Sequence, residues 1–270
     1  MKPLMQQGFD TIATEYDALF TRSLIGSAQR DRVRQYLGAV LPASRPLKVL
    51  DLGCGTGEDA IWFARSGHSV TAVDASAFML EAAKKKIEAG EFGAAIQLRH
   101  FPIEQVRSAA LDAPFDLVFS NFGAMNCLSP ATFRRIVPDL RELLTPAGRL
   151  IMVLMPRSCA WEIIYYLLKR QPAEAFRRRS GPGVRVRVSG NDILTSYYAP
   201  SSVVGMFEEA FRPIAVRPVG FFVPPSYLEP FVAAHPRFYR LLGACDRAFS
   251  GVSMLAPFAD HALVDLEVKR

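Results

Sequence analysis

No stretch of this 270-residue chain approaches the roughly 18 consecutive apolar residues that a membrane span needs. The longest apolar run, Leu150–Met155, fits a buried strand. The opening Met1–Asp10 lacks the charged-then-apolar plan of a secretory leader. Cysteine is scarce. Cys54, Cys127, Cys159 and Cys245 are scattered with no close pair, so neither a zinc site nor a disulfide framework is indicated. No metal is expected, and the expected setting is a reducing cytoplasm. There is no internal repeat and no low-complexity tract.

What remains is ordinary globular composition, 50% hydrophobic and 21% charged. The length suits one domain with insertions. The net charge of +6 is uneven. Between residues 157 and 199 stand Arg157, Lys169, Arg170, Arg177, Arg178, Arg179, Arg185 and Arg187 against Glu162, Glu174 and Asp192. That segment therefore carries nearly the whole excess. One reading is a solvated charged surface. The other is a basic cap that meets an anionic substrate, a membrane surface or nucleic acid.

From about 47 to 156 strand and helix patterns alternate. Leu47–Leu52, Ser69–Asp74, Ala94–His100, Phe115–Ser120 and Leu150–Met155 read as strands, the third as a less buried edge. Helices are expected over Gly57–Arg65, behind Ser76 with Leu80, Ala83 and Ile87 inward, and behind Ser129 and Pro130. In the last, Phe133, Ile136, Val137, Leu140 and Leu144 form one face. Such alternation implies right-handed crossovers and an α/β, doubly wound parallel sheet. Beyond 157 the pattern breaks. A nearly all-apolar helix is expected at Trp161–Lys169. A hairpin follows, Val184–Val188 to Ile193–Tyr198, turned through Ser189, Gly190 and Asn191. A helix at Ser202–Phe211, strands at Pro213–Val223 and Ala262–Val268, and helices near Tyr227–Ala234 and Pro236–Ser250 complete the chain. Residues 8–41 are expected to form two helices. The expected division is an arm over 1–45, a core over 46–156 with 200–223 and 260–270, and cap insertions at 157–199 and 224–259.

The segment VLDLGCGTG, Val49–Gly57, joins a strand to a helix. Glycines at alternate positions let the backbone turn tightly and let a ligand approach without Cβ interference. The helix that follows presents free N–H groups to a carboxylate or phosphate. Asp74 ends the next strand, where an acid can accept ribose hydroxyls. The spacing is G-x-G-x-G, not the G-x-G-x-x-G of dinucleotide binders, and Asp51 stands two residues before the first glycine, placed to reach an amino group.

The sequence resembles the class I S-adenosylmethionine-dependent methyltransferases. VLDLGCGTG is similar to that family's first motif and VTAVDAS to its second. FDLVFSNF resembles its fourth-strand motif, and LLTPAGRLIMV its loop and fifth strand. The opening FDTIATEYDALF resembles the arm of the small-molecule and quinone branch. The resemblance implies a Rossmann-like, seven-stranded, mostly parallel sheet with helices on both faces, an N-terminal helical arm and cap insertions. It implies S-adenosyl-L-methionine as cofactor. By the same resemblance Gly53, Gly55 and Gly57 pass the methionine end, Asp51 serves its amino group and Asp74 holds the ribose. Ala75 and Met79 would flank the adenine, Asn121 and Phe122 would stand near the sulfonium, and Tyr16 would cover the site. Pro102 stands where the family usually has an acid, so adenine is expected to rest on backbone near Ile103 and on packing.

Methyl transfer from a sulfonium is an in-line displacement whose rate depends largely on alignment. A base is needed only where the nucleophile carries a proton of high pKa. Asn126, Tyr16 and His235 are the catalytic candidates. His68 reads as a surface turn residue, His100 as the end of the third strand and His261 as no more than the start of the last one. Trp161, Tyr165, Tyr197 and Tyr198 are the candidates for acceptor contact in the cap. An apolar cap rimmed by arginine suits a small amphiphilic or anionic metabolite. It suits nucleic acid less well, and it leaves peripheral membrane contact open. An RNA or protein methyltransferase is the runner-up, on the strength of Arg177–Arg179. A nicotinamide oxidoreductase and a non-catalytic nucleotide-binding protein are the alternatives of other classes, since a shared fold does not fix a reaction.

Overall fold

The computed structural model describes residues 10, 13, 15–42, 44–181, 183–188 and 191–269. Most of the arm's opening, including Phe9, Thr11, Ile12 and Thr14 of the motif quoted above, lies outside the described residues. So do Ser189 and Gly190 of the expected hairpin turn. In the described part of the arm a π-helical turn at Asp17–Thr21 leads into one long helix, α1 (Leu24–Val40). Ser23 opens α1 by accepting the Gly26 amide at 3.0 Å.

The alternating core follows: β1 (Lys48–Leu52), α2 (Glu58–Arg65), β2 (Ser69–Asp74), α3 (Ala77–Ala89), β3 (Ile96–His100) and β4 (Phe115–Ser120). Ser76 caps α3 by accepting the Met79 amide at 3.1 Å. The single helix expected behind Ser129 is two, α4 (Pro130–Arg135) and α5 (Val137–Glu142). Pro138 is the cause, because it has no N–H to continue the ladder. Leu144 is not on that helix but opens β5 (Leu144–Leu154), which begins six residues before the expected start.

The remainder is α6 (Ala160–Leu168), the short α7 (Pro172–Ala175), the hairpin β6 (Val184–Val188) and β7 (Asn191–Thr195), α8 (Pro200–Phe207), β8 (Phe211–Val219), α9 (Glu229–Ala234), α10 (Pro236–Ala248) and β9 (His261–Val268). The second hairpin strand ends at Thr195, not Tyr198. There the Ser196 amide turns to the Asn126 carbonyl at 2.7 Å and the Tyr198 amide to the Met155 carbonyl at 3.3 Å. Beyond β8, the amides of Phe221, Phe222 and Val223 converge on the Asp246 carboxylate, so this stretch bends where a continued strand was expected.

The seven-stranded sheet has the order β3-β2-β1-β4-β5-β9-β8. All neighbours are parallel except β9, which runs against both β5 and β8. Helices cover both faces, and the side chains of each central strand divide between two cores. Leu150, Met152 and Leu154 join Leu50, Val118, Phe133 and Phe207 on one face. Ile151 and Val153 join Val49, Phe119, Val33 and Phe63 on the other. A parallel strand buried on both sides must be apolar at every position, which explains the unbroken run from Leu150. Phe133, Ile136, Val137, Leu140 and Leu144 do share one core across the break at Pro138. His68 is buried, not a surface residue: its Nδ1 accepts the Leu47 amide at 3.2 Å. Among the described residues no helix is long and apolar enough to cross a membrane.

Candidate active site

The carboxyl ends of β1 and β2 are stitched together by the glycine loop. The amides of Gly53 and Cys54 donate to the Val73 carbonyl at 2.8 and 2.9 Å. Gly53 has φ +76°, and a Cβ there would lie 2.3 Å from the Ala124 Cβ. Gly55 has φ +53°, and a Cβ there would meet nothing within 4 Å. The first glycine is thus required for packing and the second leaves an open face beside the cleft. Gly57, also left-handed, starts α2, whose unpaired amides supply the positive end of a helix dipole.

Asp74 receives the Gly55 amide on Oδ2 and the Ser76 amide on Oδ1, each at 2.8 Å. Burial raises its carboxyl above the ordinary range, while these amides pull it back. A cavity of about 160 Å³ opens at this point. Tyr16, Gly53, Gly55, Asp74, Ala75 and Met79 line it on one side. Pro102, Ile103, Asn121 and Phe122 line it on the other. Of the residues expected to hold a cofactor, only Asp51 and Gly57 are not on this wall. Ser76, Glu104 and Leu128, which the sequence reading did not single out, are.

Asp51 sits below the cavity wall. It is 1% exposed, and its Oδ2 is buried with no hydrogen-bond partner among the described residues. Burial first, and then the neighbouring Asp59, push its carboxyl well above the ordinary range. Asp59, in the first turn of α2, goes the other way. Despite its burial, the paired Arg30 guanidinium, Arg34 and the Asn121 amide at 2.8 Å hold it below that range. Asn121 thereby ties the end of β4 to the start of α2, and its Oδ1 accepts the Phe122 amide at 2.9 Å. Phe122 itself is left-handed at φ +43°, a conformation that costs a non-glycine residue on the order of 1–3 kcal/mol. Its ring is held between the Arg30 guanidinium, 4.8 Å from the ring centre, and the His261 ring, edge-on at 5.3 Å.

Tyr16, Phe122, Gly123 and Cys127 also line a second, larger cavity of about 630 Å³. The two spaces therefore meet at these four residues. Apolar and aromatic groups dominate the upper walls of the second cavity, among them Leu19, Phe20, Ile193, Tyr166, Tyr197 and Tyr227. Its polar floor is a buried ionic cluster. Arg178 is 6% exposed; it pairs through Nε with Glu162 and donates to Asp260, at 2.9 Å to Oδ1 and 3.0 Å to the carbonyl. Arg177 also pairs with Glu162. Glu162 is the one buried residue of α6, while Ile164 and Leu168 of that helix are exposed. Arg178 is therefore turned inward and Arg177 half-buried, while Arg179 and, in the same basic segment, Arg157, Lys169, Arg170 and Arg185 stay exposed.

The other candidates fall elsewhere. Asn126 is fully buried, and its amide is consumed by backbone: Nδ2 donates to the carbonyls of Ser196 at 2.6 Å and Met155 at 3.0 Å, and Oδ1 accepts the Met155 amide at 2.8 Å. It braces the hairpin against β5, and both of its amide hydrogens are taken by backbone. His235 lies on the surface between α9 and α10, with Nδ1 on the Phe231 carbonyl at 2.8 Å, and lines neither cavity. Tyr198 belongs to the core, where its hydroxyl donates to the Leu128 carbonyl at 2.6 Å. Trp161 donates to the Phe222 carbonyl at 3.0 Å, and Tyr165 packs on Tyr227; neither lines the second cavity. Of the four cap aromatics only Tyr197 does, joined by Tyr166 of the same insertion.

A glycine loop between the first strand and helix, acids at the ends of two strands and a cleft at the carboxyl edge define an α/β enzyme that binds an adenosine-type cofactor. Residues 49–148 match the family model of a methyltransferase domain. The demethylmenaquinone methyltransferase of Thermotoga maritima is 28% identical over 228 residues, 80% of this chain and 93% of that protein. The ubiquinone/menaquinone biosynthesis C-methyltransferase of Geotalea daltonii is 30% identical over 175 residues, 62% of this chain and 72% of that protein. Among solved structures, the 1,6-didemethyltoxoflavin-N1-methyltransferase of Burkholderia thailandensis, with S-adenosylhomocysteine bound, shares the fold. Its TM-score is 0.59 at 17% identity, over 99% of this chain and 88% of that chain. This chain belongs to the class I S-adenosylmethionine-dependent methyltransferases. It is an enzyme, and S-adenosylmethionine is its cofactor.

Proposed function

We propose that the acceptor is a small amphiphilic molecule with a hydroxylated aromatic head, of the quinol type, and that the two insertions enclose it. The observation that carries this reading is the junction of the two cavities at Tyr16, Phe122, Gly123 and Cys127. A second cavity of about 630 Å³ suits a ring with an apolar tail, within the roughly 300–1,000 Å³ usual for small-molecule sites. The names of the relatives, quinone methyltransferases, point to the same acceptor class.

In this reading the unpartnered Oδ2 of Asp51 takes the ammonium of the methionine moiety, and Gly53 and Gly55 pass its chain. Asp74 offers its carboxylate to the ribose hydroxyls. Ala75, Met79, Pro102 and Ile103 close on the adenine, and Glu104 replaces the missing acid two residues along. Bound S-adenosylmethionine supplies an electrophilic methyl group. The chain's own task is to align the acceptor against it and exclude water, and Phe122 and Tyr16 do both at the junction. Burial raises the Tyr16 phenol, so that hydroxyl is a hydrogen-bond donor at neutral pH.

A polymer acceptor loses its best support, because Arg177 and Arg178 are committed to Glu162 and Asp260. The test is formation of S-adenosylhomocysteine from S-adenosylmethionine and a reduced 2-prenyl naphthoquinone, beside total tRNA. Turnover with the quinol alone supports the reading; turnover with tRNA alone sinks it.

A further inference from the structure

The acceptor cavity holds one side chain whose arrangement the binding reading leaves unused. His261 opens β9, the reversed strand of the sheet, so its position falls at the carboxyl ends of the parallel strands, where the cleft lies. Its Nδ1 is buried 3.3 Å from Oδ2 of Asp260, within ion-pair reach but with no hydrogen bond formed among the described residues. Asp260 is itself anchored, by Arg178 on Oδ1 at 2.9 Å and by Gln29 on Oδ2 at 3.1 Å. The His261 ring stands edge-on to Phe122, one of the four residues at the junction of the two cavities. A carboxylate this close favours a proton on the ring nitrogen that faces it, and in that tautomer the other nitrogen is the proton acceptor. With Nδ1 turned to Asp260, that nitrogen is Nε2.

We propose that His261, aimed by Asp260, accepts the proton of an acceptor hydroxyl, a phenol or enol, as the methyl group is transferred. This assignment rests on the small-molecule reading above. The acceptor's oxygen, or a ring carbon conjugated to it, forms its bond to the methyl carbon. The sulfur–methyl bond breaks, and its electron pair stays on sulfur. The hydroxyl proton goes to Nε2 and then to solvent. Transfer to oxygen ends there. Transfer to carbon is completed when that carbon loses its own proton and the hydroxyl is restored, so one proton leaves in either case.

The other groups on these walls are spent or unsuited. Both oxygens of Glu162 are held by Arg177 and Arg178. Asp260 is the anchor. The Tyr16 and Tyr197 phenols and the Cys127 thiol are all raised by burial and stay protonated at neutral pH. The charged groups that share this cavity with His261 are Arg30 from α1, Glu162 from α6, Arg177 and Arg178 from the turn after α7, and Asp260; its other titratable groups are the phenols of Tyr16, Tyr166, Tyr197 and Tyr227 and the Cys127 thiol. Asp260 is a positioning residue in this scheme, since its carboxylate is buried beneath the imidazole.

The experiment measures initial rates against pH with 2-geranyl-1,4-naphthoquinol, kept reduced, for the wild type, His261→Gln and Asp260→Asn. S-adenosylhomocysteine binding by calorimetry is measured beside each. Loss of a general base lowers the rate by about 100-fold or more. The expected result is that loss in His261→Gln, with cofactor affinity within about twofold of wild type. Its rate should also keep climbing with pH as the quinol ionises unaided. Asp260→Asn retains an oxygen for Arg178; it should lose less and shift the acid limb of the profile. If His261→Gln keeps a rate within about threefold and an unchanged pH profile, the assignment is overturned. Methylation of the quinol's dimethyl ether at the same rate would also overturn it. A wild type that binds S-adenosylhomocysteine but methylates no quinol overturns the acceptor class instead, and this assignment with it.

Discussion

The Gly55 amide donates to Oδ2 of Asp74 at 2.8 Å, so the residue assigned to the ribose also fixes the shape of the glycine loop. Removing that carboxylate frees the loop and, if the proposed ribose contact holds, deletes it as well. Hydrogen bonds to a charged group contribute about 1.5–3 kcal/mol. Asp74→Ala is therefore expected to weaken S-adenosylhomocysteine binding by about 10- to 100-fold, read by calorimetry. Affinity unchanged from wild type would take Asp74 out of the cofactor site.

Asp51 makes a different prediction. Burial and the neighbouring Asp59 hold its carboxyl well above the ordinary range. An ammonium placed against Oδ2 would favour the charged form and expel a proton. Calorimetry in two buffers of different ionisation enthalpy should show proton release on S-adenosylhomocysteine binding. Asp51→Asn should abolish that release. Binding near neutral pH with no proton exchange would mean that Asp51 does not meet the ammonium.

How much of this was legible in the sequence depends on how far apart the partners lie. The strand from Leu150 was visible because its burial is strictly local. The glycine loop was visible because left-handed turns need glycine at Gly53 and Gly55 whatever the surroundings. Pro138 carried its own signal for the helix break, which periodicity alone overrode. The cap was misread because its determinants are remote. Arg178 finds Glu162 16 residues back and Asp260 82 residues on, so a run of three arginines looked like surface. Asn126 looked catalytic from its place after β4, yet its amide is consumed by Ser196 and Met155. The signal for His261 was an acid immediately before it at the start of a reversed strand, a position that topology delivers to the ligand end of the sheet.

Arg178 separates two buried acids, and its loss should be felt mainly as instability. Breaking a buried pair by removing one partner costs about 3–5 kcal/mol. Arg178→Met is expected to lose that much in urea unfolding near neutral pH. The pH dependence gives the sign. In the native protein burial alone would raise the Asp260 carboxyl, but His261 and Arg178 hold it well below the ordinary range. Its contribution is thus complete above the unfolded value of about 4 and fades as pH falls below it. Without Arg178 burial is less opposed, the folded value rises, and ionisation becomes a penalty as pH increases. The deficit of the variant should therefore shrink between about pH 7.5 and pH 5. A deficit that grows on acidification would contradict the cluster described here.

Gly53 and Ala124 offer the sharpest steric test. A Cβ on residue 53 would sit 2.3 Å from the Ala124 Cβ, in the turn that carries Gly123 and Cys127 to the junction of the two cavities. Gly53→Ala must therefore displace that turn, and it must also hold alanine at φ +76°. The left-handed conformation costs an L-residue roughly 1–2 kcal/mol, about 5- to 30-fold in affinity if it is felt only in the bound loop. The clash adds to this, and Ala124→Gly relieves the clash without touching the dihedral. In a double-mutant cycle read by S-adenosylhomocysteine affinity, the two substitutions should couple favourably: the double variant should bind more tightly than Gly53→Ala alone, yet less tightly than wild type. Strict additivity would mean that the loop yields without moving the turn. The link between the glycine loop and the acceptor gateway would then be absent.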